Sequence, residues 1–449
     1  MPPLVASFEV ESATSINSDV PRAYADKEVW QGKGITQRVG FGFHASWWIF
    51  ESHLSPSWVY SQNLDSEEFG YQDLSDGKIA FIQARSREID QPYRPGDSSF
   101  QRGYLSNSFV RMNLWKTSLG VSTETHWWGP GVRNSLLMGH QAPGFKHAYI
   151  KTNAPISIGL GTVEGTYLGG LLEDTDIHRS ARNGEWAYIT GVTGAFTPRL
   201  IPGLKFGLTR TFVINGSDLN TWSDYVPILQ PFDKSKLGAG TDGGGSQPDD
   251  QRASVHFSWS MRDGAFRVYG EFAKEDHNAD IRDIIGEPEH NRAYQFGMET
   301  RHVLTLGRLK SGFEATHLTM SNSQQTRSSG YWYTHTRVKQ GYTNQGQLLG
   351  AAIGPGSSSQ TLWLTFEQDG TSWGGLVERV AVNRDLYEDI AGPGLKPEVD
   401  VTLGLHASYS WGRVGAEAAL DLTHTSNRFF RQGENRWLTS FRTSLRYDL

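Results

Sequence analysis

The sequence predicts an all-β protein, a single transmembrane antiparallel β-barrel of about 16–18 strands with short periplasmic turns and long extracellular loops. Three observations predict it. Hydrophobicity alternates with period two along most of the 449 residues. Short polar turns alternate with long connections. Charged side chains gather on one face of the strands while bulky apolar ones gather on the other.

The alternation is clearest in three segments. "SVHFSWSMR" sets Val255, Phe257, Trp259 and Met261 against Ser254, His256, Ser258, Ser260 and Arg262. "VTLGLHASYS" sets Val401, Leu403, Leu405, Ala407 and Tyr409 against Thr402, Gly404, His406, Ser408 and Ser410. "WLTSFRTSLRYDL" carries Trp437, Phe441, Leu445, Tyr447 and Leu449 on one face to the last residue. Such a strand meets apolar surroundings on one side and polar surroundings on the other. Similar segments begin near Phe41, Ser57, Leu105, Leu119, Trp186, Leu204, Ala265, Arg292, Leu309, Arg337, Thr361, Gly375 and Arg413. Weaker candidates lie at 77–86 and 145–172.

Turns such as "RDGA" (262–265) and "SWGR" (410–413) read as hairpins. Long connections begin at Asp65, Arg85, Ile214 and Lys274. The face opposite the apolar one carries Arg111, Arg262, Arg267, Glu271, Glu299, Arg301, Glu367, Arg413, Glu417, Asp421, Arg442 and Arg446. A water-soluble chain would bury its apolar face in several sandwich domains, yet no repeat or composition break separates such domains. Closure into one barrel places the apolar face in lipid and the charges in a wet lumen, with every backbone amide paired. The expected organisation is an N-terminal periplasmic, partly strand-like segment at 1–36 and an outer-membrane barrel at 37–449.

Composition narrows the chemistry. The net charge is −6 and Lys and Arg are scattered among acids, which points away from nucleic acid. Cysteine is absent, so disulfides, thiolate metal sites and thiol nucleophiles are excluded. Fifty glycines and 12% aromatics are high for a soluble enzyme, and no apolar run reaches the roughly 20 residues of a spanning helix. The opening "MPPLVASFEVESATS" has no basic and apolar leader, and an outer-membrane address then implies a signal already removed.

Catalytic signatures are weak. The chain has no H-E-x-x-H, G-x-S-x-G or Walker loop. "GDSS" at 96–99 reads as a turn, since no helix behind it would stabilise an oxyanion. "EDTD" at 173–176 has the carboxylates for a hard divalent ion, but a solvated acidic loop explains it as well, and the same holds for "KEDHNAD" around His277. His44, His126, His140, His147 and His256 fall on different segments, and their spacing assembles no metal site. Neither a cofactor nor a catalytic residue is expected.

"THWWGPGVRNSLLMGH" (125–140) is the least barrel-like stretch. Adjacent strand residues point to opposite faces, so one of Trp127 and Trp128 is expected in a lipid-facing aromatic girdle and the other in the lumen. An indole is a platform for the C–H face of a sugar, and Arg133 and Asn134 supply hydrogen bonds beyond the turn. Alternatively both rings belong to the interface belt and Gly129–Pro130–Gly131 merely ends a strand. "GYWYTHTR" adds Tyr331, Trp332 and Tyr333 to the candidate glycan contacts.

The stretch "HWWGPGVRNSLLMGHQAPGF", with Ser135, Leu136, Leu137, Ala142 and Pro143, resembles the capsule assembly protein Wzi family. So does "HTRVKQGYTNQGQLLGAAIGPGSSSQTLWLTF", with Tyr342, Gly346, Leu349 and Gly350. A looser likeness lies in "QRVGFGFHASWWIFESHLSPSWVYSQN", and together these extend over most of 37–449. The resemblance implies an outer-membrane barrel of about eighteen strands that acts as a surface lectin for capsular or exopolysaccharide, without catalysis. Family members carry an N-terminal periplasmic helical segment, from which the polar residues 1–36 depart. The leading expectation is a non-catalytic, polysaccharide-binding barrel in contact with outer-membrane lipid and with envelope protein partners. A porin-like channel for polar or charged solutes is the alternative, motivated by the charged lumen. A hydrolase on the same barrel would need a Ser-His or paired-carboxylate site that spacing does not reveal.

Overall fold

The computed structural model describes residues 4–21, 27–67, 89–176, 186–226, 249–261, 263–275, 287–321, 330–335 and 337–449. Among them, eighteen antiparallel strands form one closed wall. The first six are β1 (Val5–Asn17), β2 (Gly34–Trp47), β3 (Phe50–Leu54 continued by Pro56–Ser61), β4 (Phe100–Leu105 continued by Phe109–Leu114), β5 (Thr117–Ser122) and β6 (Lys146–Thr152). Then come β7 (Gly161–Leu172), β8 (Ala187–Pro198), β9 (Leu204–Asn215), β10 (Asp249–Ser260), β11 (Phe266–Glu275) and β12 (Arg292–Leu304). The circuit ends with β13 (Gly307–His317), β14 (Ser358–Gln368), β15 (Thr371–Ala381), β16 (Val399–Trp411), β17 (Val414–Ser426) and β18 (Arg436–Asp448). Each strand pairs with its chain neighbours, and β1 pairs with β18 from Glu9↔Asp448 to Asn17↔Ser440. That seam removes the free edges an open sheet would leave.

The expected boundary at residue 37 falls inside β2, which begins at Gly34. Val5–Asn17 is a wall strand, with Phe8 and Ile16 exposed on the outside and Glu9 and Glu11 turned into the lumen cavity. Its outward face also carries Ser12 and Thr14, which hydrogen-bond with Gln37, so polar residues blur the alternation.

The faces sort as the alternation requires. Leu403, Leu405, Phe441 and Leu445 are exposed outside, as are Val255, Phe257 and Trp259. Inward neighbours pair in ions, as in Arg111 with Glu51 at 2.7 Å and Arg442 with Asp421 at 2.5 Å. At one end the strands join through short turns. Asp369–Gly370 shows why two residues suffice, since both adopt the positive φ (44° and 79°) that a tight hairpin demands. Val5 and Asp448, the outer ends of β1 and β18, both lie at this end. All the long connections leave from the other.

The segment beginning near Arg337 is not a strand. Residues 337–357, which contain only a two-stranded ribbon at Thr343–Asn344 and Gln347–Leu348, fold into the lumen instead. Their run "LLGAAIG" lacks period two because it is enclosed on all sides.

Candidate functional site

After Ser122 the chain leaves the wall and turns inward. Trp128, Leu136, Leu137, Met138, Ala142 and Phe145 meet Trp332, Tyr333, Val338, Tyr342, Leu349 and Ile353 in one buried cluster. The wall supplies Leu168, Ile189, Val213, Ala273, Ala293 and Val380. A hydrophobic core thus sits inside the barrel, built by two segments, 123–145 and 331–357, that enter from the long-loop end. They are stitched to each other. Gly139 N donates to Leu349 O (2.7 Å), Tyr333 Oη to Leu136 O (2.7 Å) and Asn344 Nδ2 to Pro143 O (3.0 Å).

The turn after the tryptophans is wrapped around a carboxylate from β13. Glu314 Oε2 accepts from Val132 N (2.7 Å), Arg133 N (3.0 Å) and Tyr269 Oη (2.8 Å). Its Oε1 accepts from Asn134 N and Gln295 Nε2, both at 2.8 Å. Successive backbone amides form a concave anion nest, and here the anion is the protein's own. Glycine is required beside it. A Cβ on Gly131 would lie 2.1 Å from Asn134 O, and Gly129, at φ +104°, would place one 2.5 Å from Glu271 Oε2. The tip reaches far down the bore, where Arg267 Nη2 donates to Pro130 O at 2.7 Å while pairing with Glu299.

The aromatic residues singled out in the sequence are accordingly placed apart from one another. Trp128, Asn134, Trp332 and Tyr333 are buried in the lumen core, and their surfaces are taken by protein. Neither tryptophan of the pair lies in an outer girdle, because the strand has ended before them. Trp127 is half-buried, donates from Nε1 to Gly131 O (2.9 Å) and packs edge-on against His140. Arg133 is half-buried and pairs with Glu378 at 3.2 Å.

Of the charged set, Arg111, Arg267, Glu271, Glu299, Arg301, Glu417, Arg442 and Arg446 alternate with the outward apolar residues, as expected of an inward face. Glu271 is buried against the plug. Arg413 sits in the exposed turn between β16 and β17. Arg262 lies outside the described residues, and so does most of "KEDHNAD". In "EDTD", Glu173 is held by Lys146 (3.0 Å) and Gln345 (2.9 Å), a structural use of that carboxylate.

Two of the scattered histidines do meet. His147 Nδ1 donates to Phe145 O (2.7 Å), so its Nε2 is left to accept from His126 Nε2 at 2.9 Å. Among the described residues no three metal-ligating side chains converge.

A polar cavity of about 730 Å³ remains beside the plug, lined by Glu9, Glu11, Glu28, Arg38, Glu417 and Arg442 among others. At the long-loop end a second aromatic cluster forms the rim. Leu386, Ile390, Phe429 and Phe430 are its buried part, with Tyr93, Tyr331 and Tyr387 half-exposed above them. Tyr331 donates to Asp389, Arg428 bridges Asp19 and Tyr93 at 2.6 Å each, and the Arg384 guanidinium lies 5.6 Å from the Tyr387 ring. Phe429 and Phe430 hold positive φ (54° and 62°), a strained backbone that such packing must enforce. Sequence reasoning found Tyr331 here and missed Tyr93 and Tyr387, which belong to three different connections.

Asp385 supports this rim from the helix Arg384–Ile390. Met320 N donates to its Oδ1 (2.9 Å), while Oδ2 has no partner among the described residues. Burial, with help from the Asp389 and Glu388 carboxylates, pushes its carboxyl from 3.8 up to about 7. The folded state therefore holds a proton that the unfolded chain has released, and stability falls as pH rises from about 4 to about 7. Asp385→Asn is expected to flatten that dependence and to raise the melting temperature at pH 8, read by circular dichroism in detergent.

A closed eighteen-stranded wall with an apolar exterior, an ionic interior and long connections at one end defines a β-barrel of the outer-membrane type. In this one two of its own connections fold into the bore and form a plug, with a polar cavity beside it. The chain belongs to the capsule assembly protein Wzi family, whose profile matches residues 10–369. The structure is similar to that of Wzi from Escherichia coli, described as an outer membrane protein involved in group 1 capsule assembly and a carbohydrate-binding β-barrel. That similarity has a TM-score of 0.65 at 16% identity, over 97% of this chain and 83% of that one. Looser likenesses are Pseudomonas aeruginosa OccK5 (TM-score 0.47, 10% identity, 99% and 98% of the two chains) and Acinetobacter baumannii OccAB2 (0.48, 11%, 99% and 98%). No curated protein sequence matches the chain.

Proposed function

We propose that this barrel binds surface polysaccharide, capsular or exopolysaccharide, at its long-loop end and helps to hold it at the cell surface without chemically altering it. The observation that carries the reading is the pairing of a plugged bore with an aromatic, ionic rim. A porin needs an open bore, and the core shared by 123–145 and 331–357 takes up the side of the bore from β7 to β15, with the polar cavity beside it. Family membership and the carbohydrate binding described for the Escherichia coli barrel support the same choice. At the rim, Tyr331, Tyr387 and Tyr93 offer ring edges and faces for sugar C–H groups, and Arg384, which pairs with Glu388 at 3.0 Å, offers its remaining N–H groups to uronate carboxylates. Trp127 and Arg133 stand deeper, where only a chain end entering the mouth would reach them. The buried Trp128, Asn134, Trp332 and Tyr333 act as the framework of the plug.

Binding of purified host polysaccharide to the detergent-solubilised barrel tests this. Tyr387→Ala is expected to weaken binding about tenfold, the worth of one stacked ring at roughly 1.4 kcal/mol, with the β-sheet circular dichroism spectrum unchanged. Equal binding by the variant, or no binding of any envelope glycan by the parent, would remove the proposal.

A further inference from the structure

The outside of the wall is not uniform. On most strands the outward residues are apolar and exposed, as at Phe206 and Leu208 of β9 and Val255 of β10. Continuing up β9 with the same parity, Arg210, Phe212 and Ile214 also point outward, yet they are 3%, 0% and 3% exposed. Their outward neighbours Thr190 on β8 and Gln251 on β10 are 0% and 3% exposed. Arg210 sits over the Phe212 ring at 4.5 Å and donates from Nε to Gln251 Oε1 at 3.1 Å. A cation and an amide on the outer wall are thus enclosed by protein.

The connection that follows Asn215 starts beside these residues. It turns at the rim, fixed by Gly216 N donating to Trp186 O (2.8 Å) and by an ion pair of Asp218 with Arg337 at 2.5 Å. Then it comes down the outside. Tyr225 O accepts from Tyr167 Oη (3.2 Å) and Tyr188 Oη (3.3 Å), and its ring packs edge-on against Tyr188. Both of those tyrosines have the outward parity of Leu171, while Leu168 and Ile189 beside them face the lumen core. Tyr167 lies five residues below the upper end of β7, roughly 16 Å along the strand at about 3.3 Å per residue. Tyr188, which shares the same acceptor, lies one residue below the upper end of β8, so the segment rests against the outside of the upper wall.

We infer that residues 216–226 form an external flap, and that Trp222, Tyr225 and Val226 seat it in the outer leaflet of the membrane at the boundary of headgroups and acyl chains. Trp222 is 88% exposed and turned away from the wall, with Tyr225 and Val226 beside it and the exposed Leu171 and Trp186 continuing the patch toward the barrel. Indole and phenol rings favour that boundary because one end is apolar and the other polar. The patch continues the apolar belt, and this continuity selects lipid over a soluble partner. Asp218 and Asp224 face the same segment, so apolar contact and not phosphate binding holds it there.

The chain contains no cysteine, which makes a single labelled position clean. Trp222→Cys carrying a fluorophore, in the full chain reconstituted in phospholipid vesicles, is read with spin-labelled lipid and with aqueous iodide as quenchers. Leu405→Cys on the belt and Gly433→Cys at the rim serve as the lipid and water references. Quenching at 222 by spin-labelled lipid to at least half the extent seen at 405, with iodide protection relative to 433, is the expected result. Quenching by iodide alone, as at 433, overturns the proposal. So does a disulfide linking two copies of the unlabelled Trp222→Cys chain that removes lipid access, because the occupant is then a second copy of the chain.

Discussion

Glu314→Ala is expected to open the barrel. The substitution removes the acceptor for three consecutive backbone amides, Val132 to Asn134, strands the Tyr269 hydroxyl with them, and takes one of three acceptors from Gln295 Nε2. A buried donor left without a partner costs about 1–3 kcal/mol, so the local loss exceeds the worth of any one packing contact. The wall keeps its own ladder and does not depend on the turn. Release of residues 123–145 is therefore the cheaper response than unfolding. In planar bilayers the parent chain is expected to be electrically silent and the variant to conduct, with an unchanged β-sheet circular dichroism spectrum. A silent Glu314→Ala barrel with the parent's melting temperature would show that the carboxylate does not hold the turn. Glu314→Gln, which keeps one acceptor oxygen and places an amide against the remaining N–H groups, should fall between the two.

Arg252→Met is expected to loosen the second segment. The guanidinium is fully buried between Asp250 (2.9 Å) and Glu275, and it lies 4.2 Å from the Tyr342 ring and 5.7 Å from that of Tyr333. Methionine fills much of the volume but leaves two carboxylates facing each other without a cation. Breaking a buried ion group from one side typically costs about 3–5 kcal/mol. Glu275 Oε1 also accepts from Tyr333 N at 2.7 Å, so the disturbance passes directly to 331–357. Limited proteolysis should cut the variant in that region while the parent resists. Adding Asp250→Asn and Glu275→Gln to Arg252→Met should restore resistance, since no charge then remains unpaired. Equal resistance of parent and single variant would contradict the assignment.

The wall was legible because period two is a local signal, and a residue's neighbours two positions away disclose its face. Strand β1 escaped because Ser12 and Thr14 interrupt its outward row. The plug was harder to read. Nothing in "THWWGPGVRN" states that its amides close on Glu314, a partner about 180 residues away along the chain. One signal was available. Leu136–Met138 and Leu348–Ile353 are apolar runs inside long connections, and an apolar connection must be buried somewhere. In a barrel whose outer face is already accounted for, that place is the bore. The rim could not be assembled from sequence, because Tyr93, Tyr331 and Tyr387 stand on separate connections and each looks like an ordinary loop aromatic.

The seam between β1 and β18 has a consequence for how the molecule is built. Glu9 finds Asp448 and Asn17 finds Ser440 only when the whole polypeptide exists, so the first strand synthesised waits for the last. By then residues 123–145 and 331–357 have long been available to collapse on each other. The circumference is therefore locked last, by the contact of greatest sequence separation. A substitution that weakens this one pairing would be felt as chains trapped with an unclosed hoop, even where the finished molecule would tolerate it.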